Sequence, residues 1–407
     1  MYIKRTLERF FLQASEQFPV VLLTGARQVG KTTLLQKLKE KNRTYVTLDD
    51  PLIQSLARQE PALFMQRFPP PVIIDEIQYA PQLLPYIKMK VDSLHQNGLF
   101  WLTGSQQFHL MKNVSESLAG RVAILELLPF SRQELSDQSD IIPPFLPTTN
   151  QLKQRSNLFS SLNLKSLYQL IWRGSFPSIA LSETMDHNLF YSSYVQTYLQ
   201  RDVRNFLKVH EEMNFLRFLR AAAARTGNLL NVTELARDAD ISHVTAKNWL
   251  NVLLATHIVF LLEPYFSNIT KRMVKAPKLY FVDTGLCCYL TEWSSPETLE
   301  AGAMSGPLLE TWVISEIFKS YRHFGKRAPL YYYRDRDKRE IDLLIVQNHK
   351  VHPLEIKKTA NPTRRMIRHF NLLKNLKLEI ASGGILCLTE QLLPLTPDHF
   401  AIPVWMV

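Results

Sequence analysis

Apolar and polar positions change period several times along the chain. Short, nearly unbroken apolar runs occupy 20–24, 45–48, 72–74, 100–103 and 122–127, separated by stretches long enough for a helix. Runs of that length predict strands buried on both faces, and their alternation with helices predicts a parallel sheet flanked by helices over residues 1–138. From 139 to 163 no period is visible, and Pro143, Pro144 and Pro147 with several serines predict a linker or long loop. Residues 164–225 are mainly helical in pattern, and Ala221, Ala222, Ala223 and Ala224 favour helix. The last region, 276–407, combines a helix near 306–322 with strands at 330–334, 340–346 and 351–356. Four regions are therefore expected: 1–138, 139–163, 164–275 and 276–407.

Composition changes this picture little. At 407 residues the chain is too long for one ordinary core. Apolar residues at 46% and charged residues at 21% are values of a soluble globular protein. The excess of 48 Lys and Arg over 37 Asp and Glu gives +11, which favours anionic partners, nucleic acid among them. Cys287, Cys288 and Cys387 have no metal-ligand spacing and predict reduced residues in a cytoplasmic protein. The stretch 1–11 lacks the apolar core of a signal peptide, and 249–262 is too short to span a bilayer. Export and a membrane location are not expected.

The decisive chemistry lies at Gly25-Ala26-Arg27-Gln28-Val29-Gly30-Lys31-Thr32, a full match to GxxxxGK[ST]. Glycine lets backbone N–H groups curl round phosphate oxygens without a Cβ in the way. Lys31 can reach the β- and γ-phosphates of ATP, and the Thr32 hydroxyl can ligate Mg²⁺. The helix opening at Lys31, with Thr33 in its first turn, would aim its N-terminus at the anion.

About 44 residues after Lys31, the apolar strand Val72-Ile73-Ile74 ends in Asp75 and Glu76. Asp75 is placed to hold Mg²⁺, usually through water, and Glu76 to polarise the attacking water as general base. A third strand runs through Thr103 into Gly104 and Ser105, where a polar side chain can sense the γ-phosphate; Ser105 is favoured over Thr103.

Asp75-Glu76-Ile77-Gln78, Leu102-Thr103-Gly104-Ser105 and Leu118-Ala119-Gly120-Arg121 together resemble a widespread family of prokaryotic AAA-type ATPases with a C-terminal domain of unknown function. Tyr198-Leu199-Gln200-Arg201-Asp202-Val203 is similar to a further signature of that family. The resemblance extends over nearly the whole chain. It implies a P-loop ATPase fold, followed by a helical and winged-helix region and a C-terminal α/β domain. It also implies a charge-stabilising role for Arg121, in cis or toward a neighbouring subunit, and hence a homo-oligomer as one arrangement. The stretch Arg173-Gly174-Ser175-Phe176-Pro177 resembles an element that lies near the nucleotide in related signalling ATPases, with Ser175 in place of its second glycine.

Residues 233–249 fit a helix-turn-helix, and 232–266 adds an extended wing. Leu235, Ala236 and Ala239 are expected to pack one helix, Ser242 to cap the next, and Val244 and Trp249 to face inward. His243, Thr245 and Lys247 would then be presented to DNA, or the unit serves as a packing module.

The C-terminal region carries Glu310 on a helix, Asp342 on an alternating strand with Leu344 and Val346, and Glu355-Ile356-Lys357 on the next strand. That order resembles the PD-(D/E)XK nuclease superfamily. The resemblance implies that Glu310, Asp342 and Glu355 gather Mg²⁺ and that Lys357 positions the attacking water. Arg334, Arg336, Lys338, Arg339, Lys358, Arg364 and Arg365 would supply a phosphate-facing field. The bland alternative is a set of polar residues on half-exposed strands satisfying one another. Two outputs stay open: ATP-controlled DNA processing, and a nucleotide-dependent switch acting through protein contacts.

Overall fold

The computed structural model describes residues 2–104, 114, 116–138, 142–198, 211–266, 276–376 and 378–407. Five parallel strands, β1 (Val20–Thr24), β2 (Thr44–Thr47), β3 (Val72–Asp75), β4 (Phe100–Gly104) and β5 (Val122–Glu126), form one sheet in the order β2-β3-β4-β1-β5. Helices α1 (Leu7–Gln17), α2 (Lys31–Leu38), α3 (Pro51–Gln59), α4 (Pro61–Arg67) and α5 (Leu83–Leu94) flank it. Burial on both faces holds for the inner strands β1, β3 and β4, whereas the edge strands β2 and β5 are only partly buried, with Ile124 42% exposed. Val21 and Leu23 of β1 belong to one core, while Val20 and Leu22 belong to another. On the first face α1 lays Phe11 edge-on against Trp101 at 4.9 Å, and Ser15 accepts the Trp101 indole N–H at 2.7 Å.

The segment expected to be a linker is part of the core. After the short α6 (Arg132–Leu135), helix α7 (Thr149–Leu158) runs through it, capped by Thr148. Ile142, Phe145, Leu152 and Phe159 are buried. The buried Arg155 donates to the carbonyls of Met406 and Pro143, each at 2.9 Å, so the segment is tied to the far end of the chain. Its polar composition hid this, because the apolar positions are few and widely spaced. Burial pushes the Arg155 pKa down to about 9.

Helices α8 (Leu164–Arg173), α9 (Pro177–Ala180), α10 (His187–Tyr198) and α11 (Glu212–Ala223) lead to a helix-turn-helix, α12 (Val232–Asp238) and α13 (His243–Ala255). Ser242 caps α13 as expected, accepting from Thr245 N at 3.0 Å. Trp249 is buried, but Val244 is 68% exposed, contrary to the expectation that it faces inward. At the second position of α13 it lies in the first turn, beside exposed His243, and no other element among the described residues covers it.

The extended stretch after α13 is β6 (Val259–Pro264), which pairs antiparallel with β7 (Lys278–Phe281) and parallel with β8 (Leu330–Arg334). It therefore joins the C-terminal sheet, and the expected boundary at 275/276 falls between two paired strands. That sheet continues through β9 (Glu340–Gln347), β10 (Lys350–Ile356), β11 (Glu379–Ile380), β12 (Gly383–Cys387), β13 (Leu393–Pro394) and β14 (His399–Pro403). It is mixed, and α14 (Thr284–Leu290), α15 (Pro296–Ala301) and α16 (Ser305–Arg322) lie between β7 and β8 in the chain. One hydrophobic core runs from Leu7 to Val407 and unites the α1 side of the first sheet, the helical region and α16. Among the described residues no helix is long and apolar enough to cross a membrane.

A buried ionic cluster stitches the same face. Glu134 accepts from Arg5 Nε at 3.0 Å and lies 3.2 Å from His323 Nδ1. Burial pushes the His323 pKa down to about 4, against the pull of Glu134.

Two expectations follow. Arg155→Ala leaves two buried carbonyls unpaired and should cost about 2–4 kcal/mol in urea denaturation. Unfolding lets His323 regain its ordinary affinity for protons, so its contribution is intact above pH 6.5 and lost as pH falls toward 4. His323→Gln should flatten the decline of Tm across that window.

Candidate functional site

The loop after β1 is shaped by a single crowded contact. Gly25 has φ 147°, and a Cβ there would lie 2.2 Å from the Leu127 carbonyl oxygen. Thr24 pairs with Glu126, so the loop springs directly from the β1–β5 edge. Ala26 and Val29 are buried beneath it. Arg5 braces it from below, donating to Val29 O at 3.0 Å and Leu128 O at 2.6 Å. Gly30 holds φ 93° as N-cap of α2, with no side chain capping the helix, which leaves its first N–H groups directed outward. Arg27, Gln28, Gly30, Lys31, Thr32 and Thr33 line a cavity of about 610 Å³, completed by Glu76 and Thr197. The Lys31 ammonium rests on the carbonyls of Gly25 and Ala26 at 3.0 and 2.8 Å.

The second half of the site meets the first through Asp75. Thr32 Oγ1 lies 3.1 and 2.9 Å from its two carboxylate oxygens, across 43 residues of sequence. Tyr45 donates to Asp75 Oδ2 at 2.9 Å, and the Thr103 hydroxyl donates to Oδ1. Thr103 also accepts from Glu76 N at 2.9 Å. A carboxylate and a hydroxyl in contact beside the glycine loop and the start of α2 are hard oxygen donors of the kind Mg²⁺ takes, next to an anion cradle. Glu76 sits in the left-handed region at φ 60°, and its carboxylate accepts from Gln78 Nε2. A non-glycine residue there marks a constrained backbone, and it turns Glu76 into the loop cavity.

Thr103 thus occupies the polar position on β4 beside Asp75. Ser105 and the residues 199–203 of the Arg-Asp-Val signature lie outside the described residues. Tyr45, Arg5 and Thr197 were missed. Tyr45 has no motif and reaches Asp75 only because β2 pairs with β3. Thr197 adjoins Tyr198, the first residue of the family signature, which was the available signal.

Arg121 is elsewhere. Its carbonyl accepts from Val20 N, so it stands at the N-terminal edge of the sheet, opposite the loop. There its guanidinium pairs with Asp92 at 2.6 Å. The length of β1, about 17 Å for five residues, separates it from the loop. Gly174 and Ser175 do not line the loop cavity either. Asp283, the N-cap of α14, accepts from Ser175 N at 2.7 Å and Ser175 Oγ at 2.9 Å. Gly174 is required by packing, since a Cβ there would lie 2.1 Å from the Tyr191 hydroxyl.

In the C-terminal sheet Lys357 lies 2.8 Å from both Asp342 and Glu355. Asp342 also accepts from Ile356 N at 2.8 Å. Burial and the neighbouring Asp342 push the Glu355 carboxyl up to about 8. Burial also opposes charge on Asp342, yet Lys357 and the Ile356 N–H hold it below its ordinary range, so Asp342 keeps the charge of the pair. Strict alternation along β9 fails here: Tyr331 pairs with Leu344 but Tyr333 with Ile341, so Tyr332 alone opposes Asp342 and Leu343.

Glu310 is drawn away from the pair. It accepts from Tyr280 at 2.6 Å and from Lys278 at 3.3 Å, and Lys278 also bridges to Glu340 at 2.7 Å. Glu310 and Lys357 line a common cleft of about 290 Å³. Among the described residues no three His, Cys, Asp or Glu side chains form a group that could hold a metal ion, so the expected Glu310, Asp342 and Glu355 cage is not assembled. Much of the expected positive field is also paired: Arg334 with Glu340, Arg339 with Asp335 and Asp337, and Lys358 with Glu300. Arg336, Lys338, Arg364 and Arg365 are exposed.

Family models match three parts of the chain. Residues 164–297 match a domain of unknown function (DUF8612), and residues 305–407 another (DUF4143). An uncharacterized protein of Mycobacterium tuberculosis is 28% identical over 96% of this chain and 81% of its own. An uncharacterized protein of Methanocaldococcus jannaschii is 24% identical over 91% and 82%. Among solved structures, the Walker-type ATPase of Pyrococcus abyssi covers 70% of this chain and 94% of its own at 17% identity and TM-score 0.43. Thermotoga maritima RuvB covers 62% and 86% at 17% identity and TM-score 0.29. Residues 17–136, which contain the whole loop and the Asp75–Glu76 strand, match the AAA domain model and support an ATP-binding protein of the AAA type.

Proposed function

We propose that the chain binds ATP with Mg²⁺ at its phosphate loop and hydrolyses it. The observation that carries this reading is the meeting of Thr32 with both oxygens of Asp75, at 2.9 and 3.1 Å, within a cavity that Glu76 also lines. Mg²⁺, held by Thr32 and Asp75, would supply charge neutralisation at the phosphates. The loop N–H groups and the N-terminus of α2 orient the phosphate chain. Lys31 exchanges two backbone carbonyls for phosphate oxygens. Glu76, oriented by Gln78, takes the proton of the attacking water. Arg121, at the opposite sheet edge, is placed to reach a phosphate of a neighbouring copy and not that of its own loop.

For the output of turnover, the supported reading is coupling to a DNA-binding or DNA-processing C-terminal unit. The helix-turn-helix followed by the β6–β7 pair has the topology of a winged helix and exposes His243 and Lys247 on α13. In the nuclease-like cluster, Asp342, Glu355 and Lys357 come together as the motif's order requires. Lys357 now bridges both carboxylates and would have to swing aside for a divalent ion. The competing reading, a switch with a silent nuclease-like fold, draws on the same ion pairs and on the separation of Glu310.

Lys31→Ala should abolish ATP turnover and weaken ATP binding. Glu76→Gln should keep binding but lower kcat by about 10²-fold or more, read by phosphate release. Normal turnover by the Gln variant would remove the general-base assignment.

With Mn²⁺ and ATP, wild type should nick plasmid or single-stranded DNA, and Asp342→Asn and Lys357→Ala should each lose that activity. Intact DNA in every reaction, with ATP turnover preserved, would favour the switch.

A further inference from the structure

Two residues of one turn touch side chains that stand directly behind the phosphate loop and its cavity. Thr256 and His257 follow α13 and precede β6, and His257 holds φ 56°. The Tyr198 hydroxyl lies 2.8 Å from Thr256 Oγ1. Thr256 donates its own proton to Val252 O at 2.8 Å, so Tyr198 is the donor to it. Tyr198 immediately follows Thr197, which lines the cavity. From the other side, His257 Nδ1 lies 2.5 Å from Glu126 Oε1. Glu126 ends β5 opposite Thr24, one residue before the Leu127 carbonyl that packs on Gly25. The second Glu126 oxygen is held by Arg322 at the end of α16. Three regions of the chain therefore converge on one largely buried carboxylate behind the loop.

We propose that the Thr256–His257 turn is a positioning element of the nucleotide site, fixing the Glu126 side of the loop and the Thr197 side of the cavity and carrying nucleotide occupancy into α13, β6 and α16. The inference rests on the ATP-binding reading of the loop. Among the described residues His257 Nε2 is buried without a partner, and the ring is anchored through Nδ1 at Glu126. Burial and the nearby Lys31 ammonium push the His257 pKa down to about 4, so the neutral ring donates through Nδ1 to Glu126. Lys31 is the loop side chain that changes partners when phosphates arrive, and His257 lies within its field. Movement of Lys31 or of the Gly25 backbone is then felt at Glu126, and through it at His257 and Arg322 together. Such a polar joint, buried and satisfied by neighbouring regions, couples them energetically.

The test pairs two substitutions that both tolerate a positive φ. His257→Gly removes the ring, whereas His257→Asn keeps an N–H donor near the Nδ1 position. ATP KM, kcat and binding of a fluorescent ATP analogue are measured with hydrogen exchange, with and without ATP and Mg²⁺. His257→Gly should raise KM and the analogue's Kd about tenfold, and His257→Asn should restore them to within about threefold of wild type. In wild type, ATP should slow exchange around 252–260 and 318–324 as well as around 25–33. In His257→Gly the slowing should be confined to 25–33. Should His257→Gly fail to fold, the near-isosteric Thr256→Val, which loses the bond from Tyr198, should show the same confinement. Wild-type KM and an unchanged exchange pattern in the Gly variant would overturn the inference, as would wild-type protection that never leaves the loop. Failure of wild type to bind the analogue, or normal binding by Lys31→Ala, would instead sink the ATP-binding reading itself.

Discussion

A carboxylate buried at the end of a parallel strand has to be satisfied, and much of this site follows from how Asp75 is satisfied. Its oxygens take hydroxyls from Thr32, Tyr45 and Thr103, which come from the loop helix, β2 and β4. Unpaired, such a group would cost several kcal/mol. Paired, it fixes the distance between the phosphate loop and the strand that carries Glu76. The strand order β2-β3-β4-β1-β5 makes this possible, because it inserts β4 between β1 and β3 and leaves room for the cavity at the strands' C-terminal ends.

The second organising feature is continuity of the core. A chain of this length was expected to break into separate units, yet one apolar cluster reaches from α1 to the final valine. Polar ties run along with it: Arg5 to Glu134, Arg155 to Met406, Lys319 to Phe130 O at 3.0 Å and Glu126 to Arg322. Change at the loop is thus mechanically adjacent to α16 and, through it, to the mixed sheet. That adjacency is what a coupling between nucleotide state and a distant output requires.

The C-terminal cluster shows how residue types can be right and their assembly different. Asp342, Glu355 and Lys357 meet, as their spacing suggested. Glu310 does not join them, because Lys278 and Tyr280 compete for it from β7, a strand with no place in the motif. The β9 bulge at Asp342 and Leu343 further upsets a face assignment that relied on strict alternation.

By itself the sequence determined what local periodicity and fixed spacing can encode. The five parallel strands, the glycine loop, the Asp75–Glu76 strand end and the Ser242 cap were all legible, since each depends on neighbours within a few residues, whereas the partial exposure of the edge strands β2 and β5 was not. Tertiary structure decided the rest. Arg121 was placed across the sheet from the loop, 142–163 was folded into the core, and Tyr45 and Arg5 were brought to the site from segments without a motif. Those outcomes depend on strand order and on which buried charge finds which partner. Both are properties of the packed chain, and no window of sequence contains them.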